Sequence, residues 1–316
     1  MIHRTILFLI AVLIPTAGSF GQSLSEIQNS IRLESRDWIA GETSISVLPD
    51  NEKIRRLGLI KESISGTESI LSVPEPTLNL PSSVDWRSYV TTPRNQGSCG
   101  SCWAFATTAA LESNILIRRS MPLKDDNRAE QILLSCSGAG NCEQGGSIGA
   151  ATRYIQSTGL PPESYFPYTA TNNVCSNAQS DWPAAVSKIG SWLYVNAGTT
   201  PADLNAIKSA LAAYGPLVTS MDVYYDFYSY RSGIYEYATG AYQGGHAILI
   251  VGYMDDASRS DGGYFIVKNS WGTGWGSGGF FSIGYSQLSS QVNFGEFTLA
   301  YSTPVVASPS ALRIAQ

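Results

Sequence analysis

The chain has 316 residues, a formal net charge of −5 and 14% charged residues. Lysine and arginine are not concentrated in any stretch, which argues against a nucleic-acid partner. The sequence contains no zinc-ligand spacing, phosphate-binding loop or dinucleotide fingerprint, so we expect no metal ion and no cofactor.

Residues 1–21 have the pattern of a secretory signal peptide. His3 and Arg4 precede the apolar run from Ile6 to Ile14, and small residues follow that run. The run is too short to span a bilayer comfortably, and no other segment approaches transmembrane length. We therefore expect an exported protein without a membrane span, either secreted or delivered to an endolysosomal compartment.

Residues 22–79 carry several local signals before a loose stretch rich in Ser, Pro and Glu. The first apolar residues recur at helical spacing: Leu24, Ile27 and Ile31. Two short blocks follow, Trp38 to Gly41 and Ile54 to Gly58.

A helix is predicted to begin at Cys102 and to extend to Arg118. Its apolar positions alternate by steps of four and three residues, which predicts one buried stripe: Ala104, Thr108, Leu111 and Ile115. The free N–H groups and the dipole at the start of this helix would favour a thiolate at Cys102. A cysteine in an apolar helix that stood alone would more often be a small buried hydrophobe.

The remaining patterns predict two lobes of an α+β protein. Three further helices are predicted, from about Arg128 to Leu134, from Ile148 to Gln156 and from Pro201 to Tyr214. Helical patterns dominate residues 95–185, whereas strand patterns dominate residues 186–301.

The sequence offers one candidate base for the thiol of Cys102. It contains two histidines, His3 and His246, and His3 lies in the segment that we expect to be removed. His246 precedes the apolar run Ala247 to Val251, which is typical of a buried strand. A histidine there would more often be structural, so the assignment depends on its surroundings.

Three blocks of the sequence resemble the signature blocks of the papain-like cysteine peptidases. They are QGSCGSCWAF (Gln96 to Phe105), GGHAILIVGY (Gly244 to Tyr253) and FIVKNSWGTGWG (Phe265 to Gly276). The resemblance covers residues 80–301, and it implies the papain-like two-lobe fold, with a helical lobe, a β-barrel-like lobe and a cleft between them. It also implies a propeptide at residues 22–79 and leaves residues 302–316 as a C-terminal tail.

The resemblance implies a role for each residue of the site. Cys102 would be the nucleophile, His246 would exchange its proton, and Asn269 would orient the imidazole ring. Gln96 would complete the oxyanion hole together with the backbone N–H of Cys102. Trp271 would cover the hydrogen bond between Asn269 and His246 and keep water from it.

The sequence has five cysteines, and an odd number in an exported protein suggests one free thiol. Their spacing leaves the pairing of the others open. The resemblance implies bonds between Cys99 and Cys142 and between Cys136 and Cys175, which would leave Cys102 free.

The family binds the substrate backbone along a glycine pair, here Gly145 and Gly146. The residues that would line the pocket for the second substrate residue before the cut are Ser147, Ile148, Ser220 and Gly245. Because none of the four is charged, we expect a neutral pocket that accepts large apolar or aromatic side chains.

The resemblance predicts a zymogen whose own propeptide is its inhibitor. The short propeptide with a Trp-x-Ala-Gly element is more similar to that of cathepsin B than to that of cathepsin L. A linker or a folding aid is the alternative role. Only one histidine lies outside residues 1–21, so the histidine pair of the cathepsin B occluding loop is absent and endopeptidase activity is expected.

Two functions follow from these residues. The favoured one is a secreted, monomeric cysteine endopeptidase that acts on peptides or proteins through a thiolate–imidazolium pair and an acyl-enzyme. The alternative is a catalytically silent papain-like protein that binds peptides. The enzyme is favoured because Cys102, His246, Asn269 and Gln96 are all present.

Overall fold

The structure is a computed structural model that describes residues 21–62 and 80–301. The predicted signal peptide (except for its last residue), the Ser/Pro/Glu-rich stretch and the C-terminal tail lie outside the described residues. The part of the chain before the gap, residues 21–62, is called the prosegment below.

Six α-helices and eleven strands form in the described residues. The helices are α1 Leu24–Leu33, α2 Asp50–Ile54, α3 Cys102–Arg118, α4 Glu130–Cys136, α5 Ile148–Ser157 and α6 Leu204–Tyr214. The strands are β1 Trp38–Ala40, β2 Ser83–Asp85, β3 Gly140–Asn141, β4 Gly145–Gly146, β5 Trp192–Ala197, β6 Leu217–Tyr224, β7 Tyr230–Tyr235, β8 Tyr242–Asp255, β9 Gly263–Lys268, β10 Phe280–Gly284 and β11 Phe297–Tyr301.

The prosegment helix α1 forms where the apolar spacing predicts it. Ser23 caps its first turn by accepting the N–H of Glu26, and the Glu26 carboxylate accepts the N–H of Ser23 in return. Ile27 and Ile31 are buried, so the predicted stripe is the face that packs on the rest of the molecule.

Helix α3 begins at Cys102 and ends at Arg118, as predicted. The expectation of a single buried stripe is wrong, because every residue from Cys102 to Ile117 is buried. α3 lies against β8 on one side and against α4 and α5 on another. Its small residues, mostly alanine and threonine, allow this close packing all round.

The other predicted helices form with shifted ends. α4 begins at Glu130 rather than near Arg128. α6 begins at Leu204 rather than at Pro201, because the carboxylate of Asp203 accepts the N–H groups of Asn205 and Ala206 and caps the helix there.

Nine strands of the described residues form one sheet, in the order β1-β7-β10-β9-β8-β6-β11-β5, with β2 also paired to β8. All pairs are antiparallel except that of β10 with β7. Within residues 21–62 and 80–301, the end strands β1 and β5 do not pair with each other. The sheet therefore includes a prosegment strand, β1, at one of its edges.

Strand β8 is buried on both faces. Ala247, Leu249 and Val251 pack with α3 in one apolar cluster. Ile248 and Ile250 pack with α6 and the aromatic side chains of the other cluster. A strand covered on both sides has a continuous apolar run rather than an alternating one. The helical lobe and the β lobe thus meet along β8, the strand that carries His246.

Candidate active site

Cys102 carries the free thiol of the chain. It is the first residue of α3, it is fully buried, and the other four cysteines form disulfides. Burial raises the pKa of the thiol to about 11, although backbone N–H groups that reach the sulfur, including those of Ala247 and Gly58, oppose the shift. Burial in this closed state therefore favours the neutral thiol over the thiolate.

His246 lies on β8 and its ring is completely buried. Its Nε2 and the Oδ1 of Asn269 are 2.8 Å apart. Nδ1 is buried and has no hydrogen-bond partner among the described residues. Burial lowers the pKa of His246 to about 4, and the bond with Asn269 only partly opposes this shift. Nδ1 is thus the ring nitrogen left to exchange a proton.

The seam between the lobes brings Cys102 and β8 together. The backbone N–H of Ala247, which directly follows His246, lies near the sulfur of Cys102 and opposes the rise in the pKa of the thiol. α3 and β8 are also packed along their lengths. The free thiol therefore comes from the helical lobe and the imidazole from the sheet.

Asn269 and Trp271 follow the last residue of β9 and support the imidazole. The Oδ1 of Asn269 also accepts the backbone N–H of Ser270, at 2.8 Å. The Trp271 indole is buried, and its ring centroid lies 4.9 Å from that of His246. An apolar wall here excludes water from the His246–Asn269 hydrogen bond.

Gln96 is fully buried, and its side-chain amide already has partners. Nε2 donates to the carbonyl oxygens of Cys99 and Arg56, at 2.8 and 3.0 Å. Oε1 accepts from the hydroxyl of Ser270, at 2.6 Å. Because Arg56 belongs to the prosegment, that contact exists only while the prosegment is in place.

The two disulfides are those that the resemblance implied. Cys99 is bonded to Cys142, and Cys136 is bonded to Cys175. The first ties the loop before Cys102 to the β3–β4 hairpin, which contains Gly145. The loop that leads to Cys102 and one wall of the cleft are therefore covalently linked.

The prosegment backbone passes through the cleft at Gly58. A Cβ atom on Gly58 would lie 2.1 Å from the carbonyl oxygen of Gly100, and one on Gly145 would lie 2.1 Å from that of Gly58. Gly145 also has a φ of +79°, which favours glycine. The backbone of Gly146 donates to Gly58 at 2.8 Å and accepts from Ile60 at 2.9 Å. The glycine pair predicted to bind substrate backbone thus holds prosegment backbone.

The four predicted pocket residues fall into two groups. Ser147 caps α5 by accepting the N–H of Ala150, and Ile148 follows it in the buried wall. Ser220 lies on β6, and Gly245 lies on β8. The carbonyl oxygen of Gly245 accepts the N–H of the prosegment residue Leu59, at 3.1 Å.

Two carboxylates lie beside these residues and are not among the site residues predicted from the sequence. Asp222 is the cross-strand partner of Gly245, and Glu296 precedes the start of β11. Both form ion pairs with the prosegment residue Lys61. The four residues on which the expectation of a neutral pocket rests are uncharged, and these two carboxylates lie next to them. A signal was available for one of them, since Asp222 is the one charged residue of the buried strand β6.

Comparisons with known proteins agree over most of the chain. The family model described as papain family cysteine protease matches residues 80–296. A cathepsin L-like proteinase of Fasciola hepatica is 36% identical over 206 residues, which are 64% of this chain and 59% of that protein. Cathepsin L2 of Homo sapiens is 37% identical over 215 residues, 65% of this chain and 61% of that protein. The chain thus spans about three fifths of the length of the curated relatives it matches.

Solved structures extend the similarity across the prosegment. The digestive procathepsin L2 proteinase from Tenebrio molitor larval midgut is 26% identical, with a TM-score of 0.73 over 90% of this chain and 89% of that one. A procathepsin B S9 from Trypanosoma congolense has a TM-score of 0.75 over 90% and 98% of the two chains, at 22% identity, which shows the fold alone. By its sequence blocks, its two-lobe fold and the matched family model, this chain belongs to the papain family of cysteine proteases.

Proposed function

We propose that this chain is the zymogen of an exported cysteine endopeptidase and that Cys102, His246 and Asn269 carry out the reaction. One observation carries the proposal: a buried free thiol at a helix N-terminus lies at the same seam as an imidazole that is hydrogen-bonded to an asparagine. Nucleophilic catalysis by a thiol needs a base of this kind beside the sulfur, and the shared seam supports that pairing.

The reaction would begin when the prosegment leaves and water and substrate enter the cleft. Nδ1 of His246 would take the proton of the Cys102 thiol and form a thiolate–imidazolium pair. The dipole of α3 would stabilise the thiolate, and Asn269 would keep the ring in place through Nε2. Restored solvation would reverse the burial that holds both groups neutral in the closed state.

The thiolate would attack the carbonyl carbon of the scissile peptide bond and form a C–S bond. The negative charge on the carbonyl oxygen would face the Gln96 amide and the backbone N–H of Cys102, after Arg56 has vacated the amide. The C–N bond would then break as His246 gives its proton to the leaving amine. Water, losing a proton to His246, would hydrolyse the thioester and restore the thiol.

Inhibition by the prosegment follows from what it occupies. The backbone of Gly58 lies against those of Gly100 and Gly145, close to Cys102. The Arg56 carbonyl accepts from the Gln96 amide. Leu59 and Ile60 form hydrogen bonds with the backbone groups of Gly245 and Gly146. A substrate would need the same groups, so both cannot be bound at once.

Export is proposed from the leader pattern of residues 1–21 together with the two disulfides, which persist in oxidising compartments. None of the helices formed by residues 21–62 and 80–301 is long and apolar enough to cross a bilayer. Peptides or proteins and the prosegment itself are the proposed partners of a monomeric enzyme.

An epoxide that reacts only with activated thiols tests the proposal. The folded full chain should react slowly, and the same chain should react rapidly after an external protease removes the prosegment. Cys102→Ala should abolish labelling. His246→Gln should abolish epoxide labelling but leave Cys102 reactive toward a maleimide, which separates an activated thiol from an exposed one.

Absence of epoxide labelling in the processed, unsubstituted chain would contradict the enzyme and favour the silent peptide-binding protein. If the processed protein reacts with the epoxide no faster than the full chain, the prosegment does not inhibit the enzyme. It would then be a linker or a folding aid.

A further inference from the structure

The ion pairs of Lys61 show a binding site for a cation in the β lobe. Its Nζ lies 3.0 Å from Oδ1 and 3.1 Å from Oδ2 of Asp222, and it also pairs with Oε2 of Glu296. Among residues 21–62 and 80–301, Lys61 is the one cation that forms an ion pair with either carboxylate.

The two carboxylates belong to the body of the protein, whereas their cation belongs to the prosegment. Asp222 is only 6% exposed, and its Oδ2 accepts the Nδ2 of Asn293 at 2.8 Å. Its buried Oδ1 has no hydrogen-bond donor from the described residues apart from its ion-pair contact with Lys61. Removal of the prosegment would leave this oxygen without its cation, and an unpaired buried carboxylate is costly.

The acidic pair, Asp222 and Glu296, borders the predicted substrate pocket. Asp222 faces Gly245 across β6 and β8. The residues on both sides of Glu296 are bonded to Ser220, through the Gly295 N–H to its carbonyl at 3.0 Å and the Phe297 N–H to its hydroxyl at 2.9 Å. Ser220 and Gly245 are the pocket residues contributed by the β lobe.

We propose that Asp222 and Glu296 select a lysine or arginine side chain of the substrate at the rim of this pocket, in the place that Lys61 fills while the prosegment is bound. This inference rests on the proposed peptidase function and specifies its substrate class. A long cationic side chain can lay its methylene groups along the pocket wall and place its charge between the two carboxylates. The uncharged part of the pocket is separate from the acidic pair: the prosegment residue Leu59 packs there against the apolar cluster that contains Ile148.

Two fluorogenic peptides that differ only at the second residue before the cut provide the test. One carries arginine there and the other carries citrulline, which has nearly the same shape without the charge. On full-length protein processed after folding, we expect kcat/KM to be at least about tenfold higher for the arginine peptide, because a charge pair in a partly buried site contributes strongly. Asp222→Asn and Glu296→Gln should each reduce the ratio to below about threefold.

Asp181→Asn is the matched control, since Asp181 is an exposed carboxylate whose side chain caps nothing. It should leave the ratio unchanged. A ratio near one in the unsubstituted enzyme, or an undiminished ratio in the Asp222→Asn, Glu296→Gln double variant, would overturn the proposal.

Binding to the processed Cys102→Ala protein separates this inference from the peptidase proposal. If no peptide is cleaved, the peptidase proposal fails. Calorimetry with the same two peptides then still decides whether the acidic pair prefers a cation. Tighter binding of the arginine peptide that is lost in Asp222→Asn supports the inference, whereas equal binding of both peptides contradicts it.

Discussion

At the residue scale, Gln96 connects inhibition with the proposed chemistry. Its Oε1 is fixed by Ser270, so the amide keeps one orientation while its Nε2 points toward Cys99 and Arg56. When the Arg56 carbonyl leaves, the N–H of Gln96 that it occupied would become free to donate, and the amide would not need to rotate. A donor fixed in advance is what stabilises a developing oxyanion most strongly.

Gln96→Ala should therefore lower kcat of the processed enzyme about a hundredfold or more, with a smaller effect on KM. Steady-state kinetics with a fluorogenic peptide measures this. Gln156→Ala, on the exposed side of α5, is the control and should behave as the unsubstituted enzyme. A kcat of Gln96→Ala within twofold of normal would remove Gln96 from the oxyanion hole.

The titration of His246 gives a second prediction at this scale. Burial in the closed state lowers its pKa from 6.5 to about 4. The unfolded chain would thus bind more protons than the folded zymogen between these values, and stability should fall as the pH falls from about 6.5 to 4. If the whole shift is realised, the free energy of unfolding is lower by about 3 kcal/mol at pH 4 than at neutral pH.

NMR titration of the Cys102→Ala chain lacking residues 1–21 checks the shift, because His246 is then the single histidine and its ring signal needs no assignment. We expect a pKa well below 6.5 with the prosegment attached and a higher value after its removal. Equal values in the two states would contradict the role of prosegment burial.

The residues of the site differ in how far the sequence could predict them. Cys102, His246 and Asn269 each stand in a block of matching neighbours, so short-range patterns predict them. Asp222 and Glu296 are separated by 74 positions along the chain and meet through strand pairing. Their common partner, Lys61, comes from the prosegment, and no local pattern signals such an encounter.

At the element scale, the prosegment is anchored by a strand as well as by helices. β1 pairs with β7 at the edge of the sheet. Trp38 is buried against Tyr235, with ring centroids 5.3 Å apart, and its Nε1 donates to the Glu236 carbonyl at 2.9 Å. Strand addition of this kind combines backbone hydrogen bonds with a side-chain pocket.

Trp38→Ala should loosen the prosegment by about 3 kcal/mol, the usual cost of removing a buried tryptophan. Hydrogen exchange of residues 21–62 in a Cys102→Ala chain should then accelerate by about a hundredfold. Ile39→Ala is the matched control, because its side chain lies on the same strand but is 63% exposed. Similar exchange in both variants would show that β1 does not anchor the prosegment.

Helix α3 illustrates what periodicity could and could not predict. Its two ends follow from local sequence, but its burial on all sides does not. The apolar spacing marked one stripe, whereas polar residues such as Glu112 and Asn114 are buried as well. Their burial depends on partners from distant segments, which are visible only in the folded chain.

At the scale of the whole molecule, a buried polar chain ties the lobes together beneath the site. Lys268, the last residue of β9, donates to the hydroxyl of Thr91 at 2.8 Å. Thr91 donates in turn to Glu112 of α3 at 2.5 Å. Burial lowers the pKa of Lys268 and raises that of Glu112, and the attraction between the two opposes both shifts. Asn269 directly follows Lys268, so the chain links lobe packing to the orientation of the imidazole.

Lys268→Met should destabilise the protein by about 3–5 kcal/mol, because it removes the cation that most strongly attracts the buried Glu112 carboxylate. The Glu112→Gln, Lys268→Met double variant should recover part of this loss. Urea unfolding followed by circular dichroism measures both. Lys124→Met changes an exposed lysine and serves as the control. A single variant as stable as Lys124→Met would show that the charge pair does not hold the lobes.

Because the prosegment closes the cleft over Cys102, the reactivity of this thiol can be used to follow opening of the cleft. With four of the five cysteines in disulfides, Cys102 is the sole site for a thiol-directed dye, and it is fully buried beneath Gly58. The rate of dye attachment would therefore report how often the lid formed by residues 56–60 lifts, before any bond in the chain is cut.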